Sequence, residues 1–228
     1  MKKTNDTENN SQTKKGISPV VKWFWYIFAG GIVAIMLLFL SASLGLLGEM
    51  PDFKHLENPE TNLATEIVTA DGKSLGKFYL DENRTPIKFK DLPKSLVDAL
   101  IATEDERFYE HSGIDVRGTL RAMVFFGSRG GASTITQQLA KQLFHKEKKR
   151  GLGRYTQKIK EWVIATRLEK QYTKEEILAM YFNVYDFNNN ADGIRSAAKI
   201  YFDKEPKNLK IEEGAMLVGM FKNSALYN

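Results

Sequence analysis

The first pattern along the chain is a break in polarity. Residues 1–22, MKKTNDTENNSQTKKGISPVVK, are polar with five lysines, and they read as a disordered tail. WFWYIFAGGIVAIMLLFLSASLGLLG follows, with no charge from Trp23 to Gly48. Phe24 to Leu47 would measure about 36 Å as a helix, enough to cross a hydrocarbon core of about 30 Å with some tilt. Trp23, Trp25 and Tyr26 stand where an interfacial aromatic belt belongs. Ser41-Ala42-Ser43 resembles a signal-peptide cleavage site, but the apolar run is too long and its leader too extended, so residues 23–48 are taken as an anchor. Lysines before the span, with Glu49 and Asp52 after it, predict a cytoplasmic N-terminus and an external remainder.

Beyond the anchor the pattern changes twice. Residues 49–90 begin with a polar connector. They continue with strand-like runs at Glu66–Thr69 and Ser74–Leu80 around Asp71-Gly72, which predicts a small β hairpin. From Asp91 to residue 228 nearly every segment has helical period, so the outer domain is expected to be mainly α. A helix is predicted from an Asp91 N-cap to Gly113, with Leu96, Val97, Leu100, Ile101 and Phe108 on its buried face. Thr134–Gln137 and Thr173–Glu176 have the spacing of capping boxes ahead of two further helices. GIRSAAKIYF and EEGAMLVGMF predict two more, after a turn-rich DFNNNADG loop.

Glu104 interrupts the first helix's apolar stripe. It is either an ion-paired or frayed residue, or a carboxylate whose burial disfavours ionisation and makes it a usable proton acceptor. Glu161 borders a second apolar stripe, WVIATRLE, and two such acids could serve sugar transfer. GGASTITQQLAKQLF concentrates hydroxyl and amide groups at a helix start, which suits an anion or a sugar as well as an ordinary amphipathic helix. His111 has no metal-ligand spacing to His55 or His145 and reads as a hydrogen-bonding residue. Two S-x-x-K matches, at Ser74 and Ser196, lack companion motifs and are taken as chance. RGTLRAMVFFG at 117–127 either packs in the core or dips into a bilayer interface.

Net charge is +5, which fits an anionic partner without selecting one. Seven Lys or Arg fall between Lys146 and Lys160, a solvated connector or a contact for phosphate-bearing lipid. Cysteine is absent, which excludes disulfides and thiolate catalysis.

Five stretches in order carry a family resemblance. ATEDERFYEHSGID, GGASTITQQLAKQLF, KIKEWVIATRLEKQ with YTKEEILAMYFN, and NNNADGIRSAAKIYF resemble the motifs of the family 51 peptidoglycan glycosyltransferases, the membrane-anchored part of class A penicillin-binding proteins. The resemblance implies a lysozyme-like α fold and polymerisation of lipid II into β-1,4 glycan by an inverting displacement. It implies Glu104 as general base, Asp105 as the residue ordering it, and Glu161 as the second acid. Ser133, Thr134, Gln137, Gln138 and Lys141 would line the glycan and phosphate subsites. Lys158 and Arg154 would face the diphosphate, with Arg117 and Arg121 as secondary candidates. Mg²⁺ or Mn²⁺ assists in some members without tight binding. Expected partners are lipid II, the nascent glycan strand, the bilayer and other cell-wall synthesis proteins, with no nucleic acid.

Three positions depart from the family pattern. Gln157 stands where a basic residue is usual, Ala179 where a glutamate is, and Asn188–Asn190 where the loop is glycine-rich. The chain also ends inside the expected domain, which suggests truncation before any transpeptidase domain. Two rivals stay open: a lysozyme-like enzyme that cleaves glycan, and a catalytically idle scaffold that binds lipid II.

Overall fold

The computed structural model describes residues 18–46, 65–72, 74–78, 85–126, 128, 131–144 and 151–222. The predicted tail up to residue 17, most of the connector, and the basic run up to Arg150 with His145 lie outside them. The chain divides into two units, Met1–Ser41 and Ala42–Asn228. Helix α1 spans Pro19–Ser43, several residues N-terminal to the predicted span. It is long and apolar enough to cross a membrane, and its Trp23, Phe24, Trp25 and Ile27 are exposed.

The second unit opens with the predicted hairpin. Strands β1 (Thr65–Val68) and β2 (Ser74–Phe78) pair antiparallel with Thr65 opposite Phe78, and a bulge interrupts the ladder between Ile67 and Val68. Gly72 supplies the positive φ of the turn, and its N–H donates to the Thr69 carbonyl.

Among the described residues seven helices follow: α2 (Lys94–Glu104), α3 (Val116–Val124), α4 (Ile135–Phe144), α5 (Leu152–Gln171), α6 (Lys174–Val184), α7 (Gly193–Phe202) and α8 (Ile211–Lys222). α4 packs on α5 and α6, α2 on α8, and α6 on α7. Their shared core includes Leu96, Leu100, Phe108, Ile135, Leu139, Ile164, Leu168, Ile177, Tyr181 and Phe182, all removed from solvent. The described domain is therefore mainly α with one small hairpin, as the polarity pattern predicts.

Helix α2 is shorter than predicted at both ends. Asp91 belongs to a separate 3-10 turn, Phe89–Asp91, rather than capping the helix. The cause is Pro93, because a residue before proline avoids helical φ and ψ, and Leu92 is accordingly extended at φ −87° and ψ 133°. The helix starts after the proline and stops at Glu104, where Asp105 swings to φ −157°. Phe108 still reaches the core, but from a second 3-10 turn, Phe108–Glu110.

The two capping boxes differ. At Thr173 both halves form: its hydroxyl accepts from the Glu176 N–H, and the Glu176 carboxylate accepts from the Thr173 N–H. At Thr134 only half forms. Its hydroxyl accepts from the Gln137 N–H at 3.2 Å, but the Gln137 side chain turns away to donate to the Gly113 carbonyl at 3.0 Å. Thr134 donates to that same carbonyl at 2.8 Å.

Asn188, Asn189 and Asn190 all occupy the left-handed region, at φ 62°, 51° and 59°. Asparagine tolerates that region better than most L-residues, so a run of asparagines can follow the path of a glycine-rich loop. Of the S-x-x-K matches, Ser196 is buried in α7 while Lys199 pairs with Asp203, so that one is structural.

The segment from α2 to α3 is pinned at two places. Arg107 donates to Asp115 at 2.5 Å across the turn. Burial works against the Asp115 charge, but the Arg107 guanidinium and the Gly118 N–H outweigh it and hold the carboxyl below its usual range. Gly113 sits at φ +88°, with the Ala165 backbone 2.8 Å from where a Cβ would stand.

Gly113→Ala should therefore cost about 2 kcal/mol or more, from the left-handed backbone and the clash together, read as a lowered urea midpoint. The Asp115 contribution should be complete above its unfolded pKa of about 3.9 and disappear as pH falls through the lower folded value. Asp115→Asn should thus be less stable than wild type at pH 7, with the gap closing in acid. Urea titrations from pH 7 down to about pH 3 measure it.

Candidate active site

The helix ends and turns meet around a cavity of about 520 Å³. Its lining includes Glu104 and Asp105 from the end of α2, Arg107 and Asp115 from the segment after it, and Arg121 from α3. Ser133 and Thr134 before α4, Gln138 on α4 and Lys222 at the end of α8 also line it. A cleft of about 610 Å³ between the Phe89–Asp91 and Pro206–Asn208 turns contains none of the residues predicted for chemistry.

Glu104 is half-buried at the last position of α2 rather than sunk in the apolar stripe. Its Oε2 accepts from Gln138 Nε2 at 2.8 Å, and its cavity neighbours are largely polar. Asp105 is buried and hydrogen-bonded through both oxygens. Oδ2 accepts from the Ile135 N–H at 3.0 Å, and His111 Nε2 lies 3.1 Å from both carboxylate oxygens. This is the hydrogen bond expected of His111. It also fixes the chain direction just after Glu104, because Asp105 cannot move without abandoning the first turn of α4.

A second layer supports that corner. Lys174 Nζ donates to the His111 carbonyl at 2.7 Å and to Glu169 at 2.8 Å, and it lies 4.2 Å from the Phe108 ring centre. Glu169 also accepts from Thr136 at 2.6 Å. Residues from four of the five sequence motifs thus share one polar network beside the cavity.

The donor-side candidates sit on α5. Glu161 is buried, and Lys158 Nζ approaches its Oε2 at 3.1 Å while Gln157 Nε2 donates to Oε1 at 3.3 Å. Lys158 also donates to Ser133 Oγ at 2.8 Å. Ser133 therefore links the cavity rim to the Lys158–Glu161 pair. Gln157 fills the position of the usual cation with a neutral amide that is itself buried.

Other candidates play different parts. Gln137 is buried and committed to the Gly113 carbonyl, and Thr134 spends its proton there too, so both hold the loop together. Lys141, Arg154 and Arg117 are exposed and outside the cavity lining, whereas Arg121 is within it. Arg107, Asp115 and Lys222 line the cavity without having been singled out. The first two lie inside the stretch ATEDERFYEHSGID, and their close pairing across seven intervening residues leaves no periodic signature. Lys222 reaches the site from the far end of the chain.

Among the described residues no group of three or more His, Asp, Glu or Cys could hold a metal ion.

Comparison with known proteins gives a consistent picture. The family model described as transglycosylase matches residues 71–228. Penicillin-binding protein 1A of Pseudomonas aeruginosa is 34% identical over 213 residues, covering 92% of this chain and 25% of that protein. Penicillin-binding protein 1A of Neisseria lactamica is 38% identical over 89% of this chain and 24% of that protein. Penicillin-binding protein 1F of Bacillus subtilis is 37% identical over 86% of this chain and 28% of that protein. The chain spans about a quarter of the length of these relatives. With its model match covering most of the sequence and its motifs in order, the chain belongs to the transglycosylase family.

Proposed function

We propose that the chain is a peptidoglycan glycosyltransferase that polymerises lipid II into β-1,4-linked glycan. The single observation that carries this reading is the Glu104 carboxylate, held by Gln138 on the wall of a cavity that also presents Arg121 and the Arg107–Asp115 pair. In the reaction, the 4-hydroxyl of an incoming lipid II attacks the anomeric carbon of the growing strand. A C–O bond forms there on one face as the bond to the diphosphate breaks on the other, so the α-linked donor gives a β product. Glu104 takes the hydroxyl proton, and the polyprenyl diphosphate leaves with the bonding electron pair.

Asp105 contributes by anchoring the backbone beside the base. Lys158, held between Ser133 and Glu161, is the best-supported cation for the departing diphosphate. Arg121 and Lys222 offer further positive charge within the cavity. Glu161 then orients Lys158 toward Ser133.

We place α1 across a bacterial cytoplasmic membrane, with the N-terminus inside and the catalytic domain outside. Helix α3 supports a surface-bound domain. Of the two alternatives for residues 117–127, core packing does not fit, because Leu120, Met123, Val124 and Phe126 are exposed. Phe126 keeps 96% of its surface. Apolar residues beside Arg117 and Arg121 suit the headgroup boundary, where lipid tails and phosphates lie within one helix width.

Glu104→Gln should lower polymerisation of labelled lipid II in detergent by at least about 100-fold while leaving thermal unfolding unchanged. Retained polymer in a folded variant would overturn the base assignment. For the membrane contact, the absence of cysteine allows one label at Met123→Cys in the full chain. In proteoliposomes an environment-sensitive dye there should shift to the blue and be quenched by lipid-borne quenchers. An emission spectrum typical of water would remove α3 from the bilayer surface.

A further inference from the structure

Gln138 joins Glu104 to a residue of the core. Its Nε2 donates to Glu104, and its Oε1 accepts from the Tyr181 hydroxyl at 2.9 Å. A side-chain amide has one end that donates and one that accepts, so its orientation decides what Glu104 meets. With the NH₂ group toward it, the carboxylate finds a donor. With the oxygen toward it, the carboxylate would meet a second acceptor unless it carried a proton itself.

Tyr181 is placed to settle that choice. It is fully buried on α6, and its ring stacks on Phe221 of α8 with centres 5.0 Å apart and planes 20° from parallel. Tyr185, the residue just past the end of α6, donates its hydroxyl to the Met220 carbonyl at 2.6 Å, which ties α6 to α8 beside that stack. The Tyr181 ring is thus fixed in direction. Burial, and after it the nearby Glu104 charge, push its phenol far above the ordinary range, so the hydroxyl keeps its proton.

We propose that Tyr181 is a positioning residue for glycosyl transfer, which fixes the Gln138 amide with its NH₂ toward Glu104 and so holds the base ready. The proposal rests on the reading of Glu104 as the base. Tyr181 does not touch the cavity, whose described lining does not include it. It acts through Gln138 alone.

The charged groups sharing the cavity with Glu104 are Asp105 and Glu106 after it, Arg107 and Asp115 from the following segment, Arg121 of α3 and Lys222 of α8. From α4 the neighbour is the neutral Gln138. Removing the Tyr181 hydroxyl changes none of these charges and frees only the amide to turn.

The test is the pH dependence of lipid II polymerisation by the full chain in detergent. Tyr181→Phe should lower kcat about tenfold with KM nearly unchanged, and should move the acidic limb of the kcat profile to higher pH. The double variant with Gln138→Met should be no slower than Gln138→Met alone, since both substitutions cut the same link. A wild-type kcat and acidic limb in Tyr181→Phe, or losses that add in the double variant, would overturn the proposal. If Tyr181→Phe does not fold, Gln138→Met decides at a position outside the core: an unmoved acidic limb there overturns the proposal as well. Glu104→Gln separates the two readings. An inactive Glu104→Gln beside an unaffected Tyr181→Phe removes only the positioning role, whereas an active one removes the base assignment and this role with it.

Discussion

The site depends on one carboxylate that does no proposed chemistry. Asp105 accepts the Ile135 N–H and the His111 ring at the same time, and in doing so it stops α2 and starts α4 at one point. A buried charge is costly unless it is paired or hydrogen-bonded, so this arrangement tolerates little displacement. Glu104 immediately before it and Gln138 one turn into α4 inherit their positions from that bond. The resemblance assigned Asp105 the task of ordering the base, and a backbone anchor is a concrete way to perform it.

Much of the architecture was legible in the polarity pattern. The hairpin, the helical outer domain, the Thr173 capping box and the short helices α7 and α8 all follow from local spacing and turn chemistry. The misplaced features have specific causes. The start of α2 was set by Pro93 acting on Leu92, which outweighed the capping preference of Asp91. Its end was set by contacts of Asp105 with residues up to 30 positions away, which no local window contains. Gln137 left its capping role because the Gly113 carbonyl, brought in by tertiary folding, competed for the same amide.

The site was legible in part for the same reason. Acids at apolar borders marked Glu104 and Glu161, since a carboxylate next to a buried stripe is uncommon enough to notice. Burial of Glu161 agrees with that reading, while Glu104 proves to be a rim residue with polar company. Motif content could not say which polar residues hold the scaffold and which face the cavity. Gln137 and Gln138 are adjacent in sequence, yet one braces a loop and the other meets the proposed base. Only the helix phase, fixed by packing α4 on α5 and α6, separates them.

The contact of Gly113 with Ala165 has a geometric consequence. Ala165 stands one helical turn after Glu161, on the same side of α5. The bare glycine therefore lets the loop that leads back to the proposed base lie directly on the helix that carries the other acid. It works as a shim of minimum thickness between the two halves of the proposed site. A single methyl group at that point would widen the gap between them, although neither acid would have been altered.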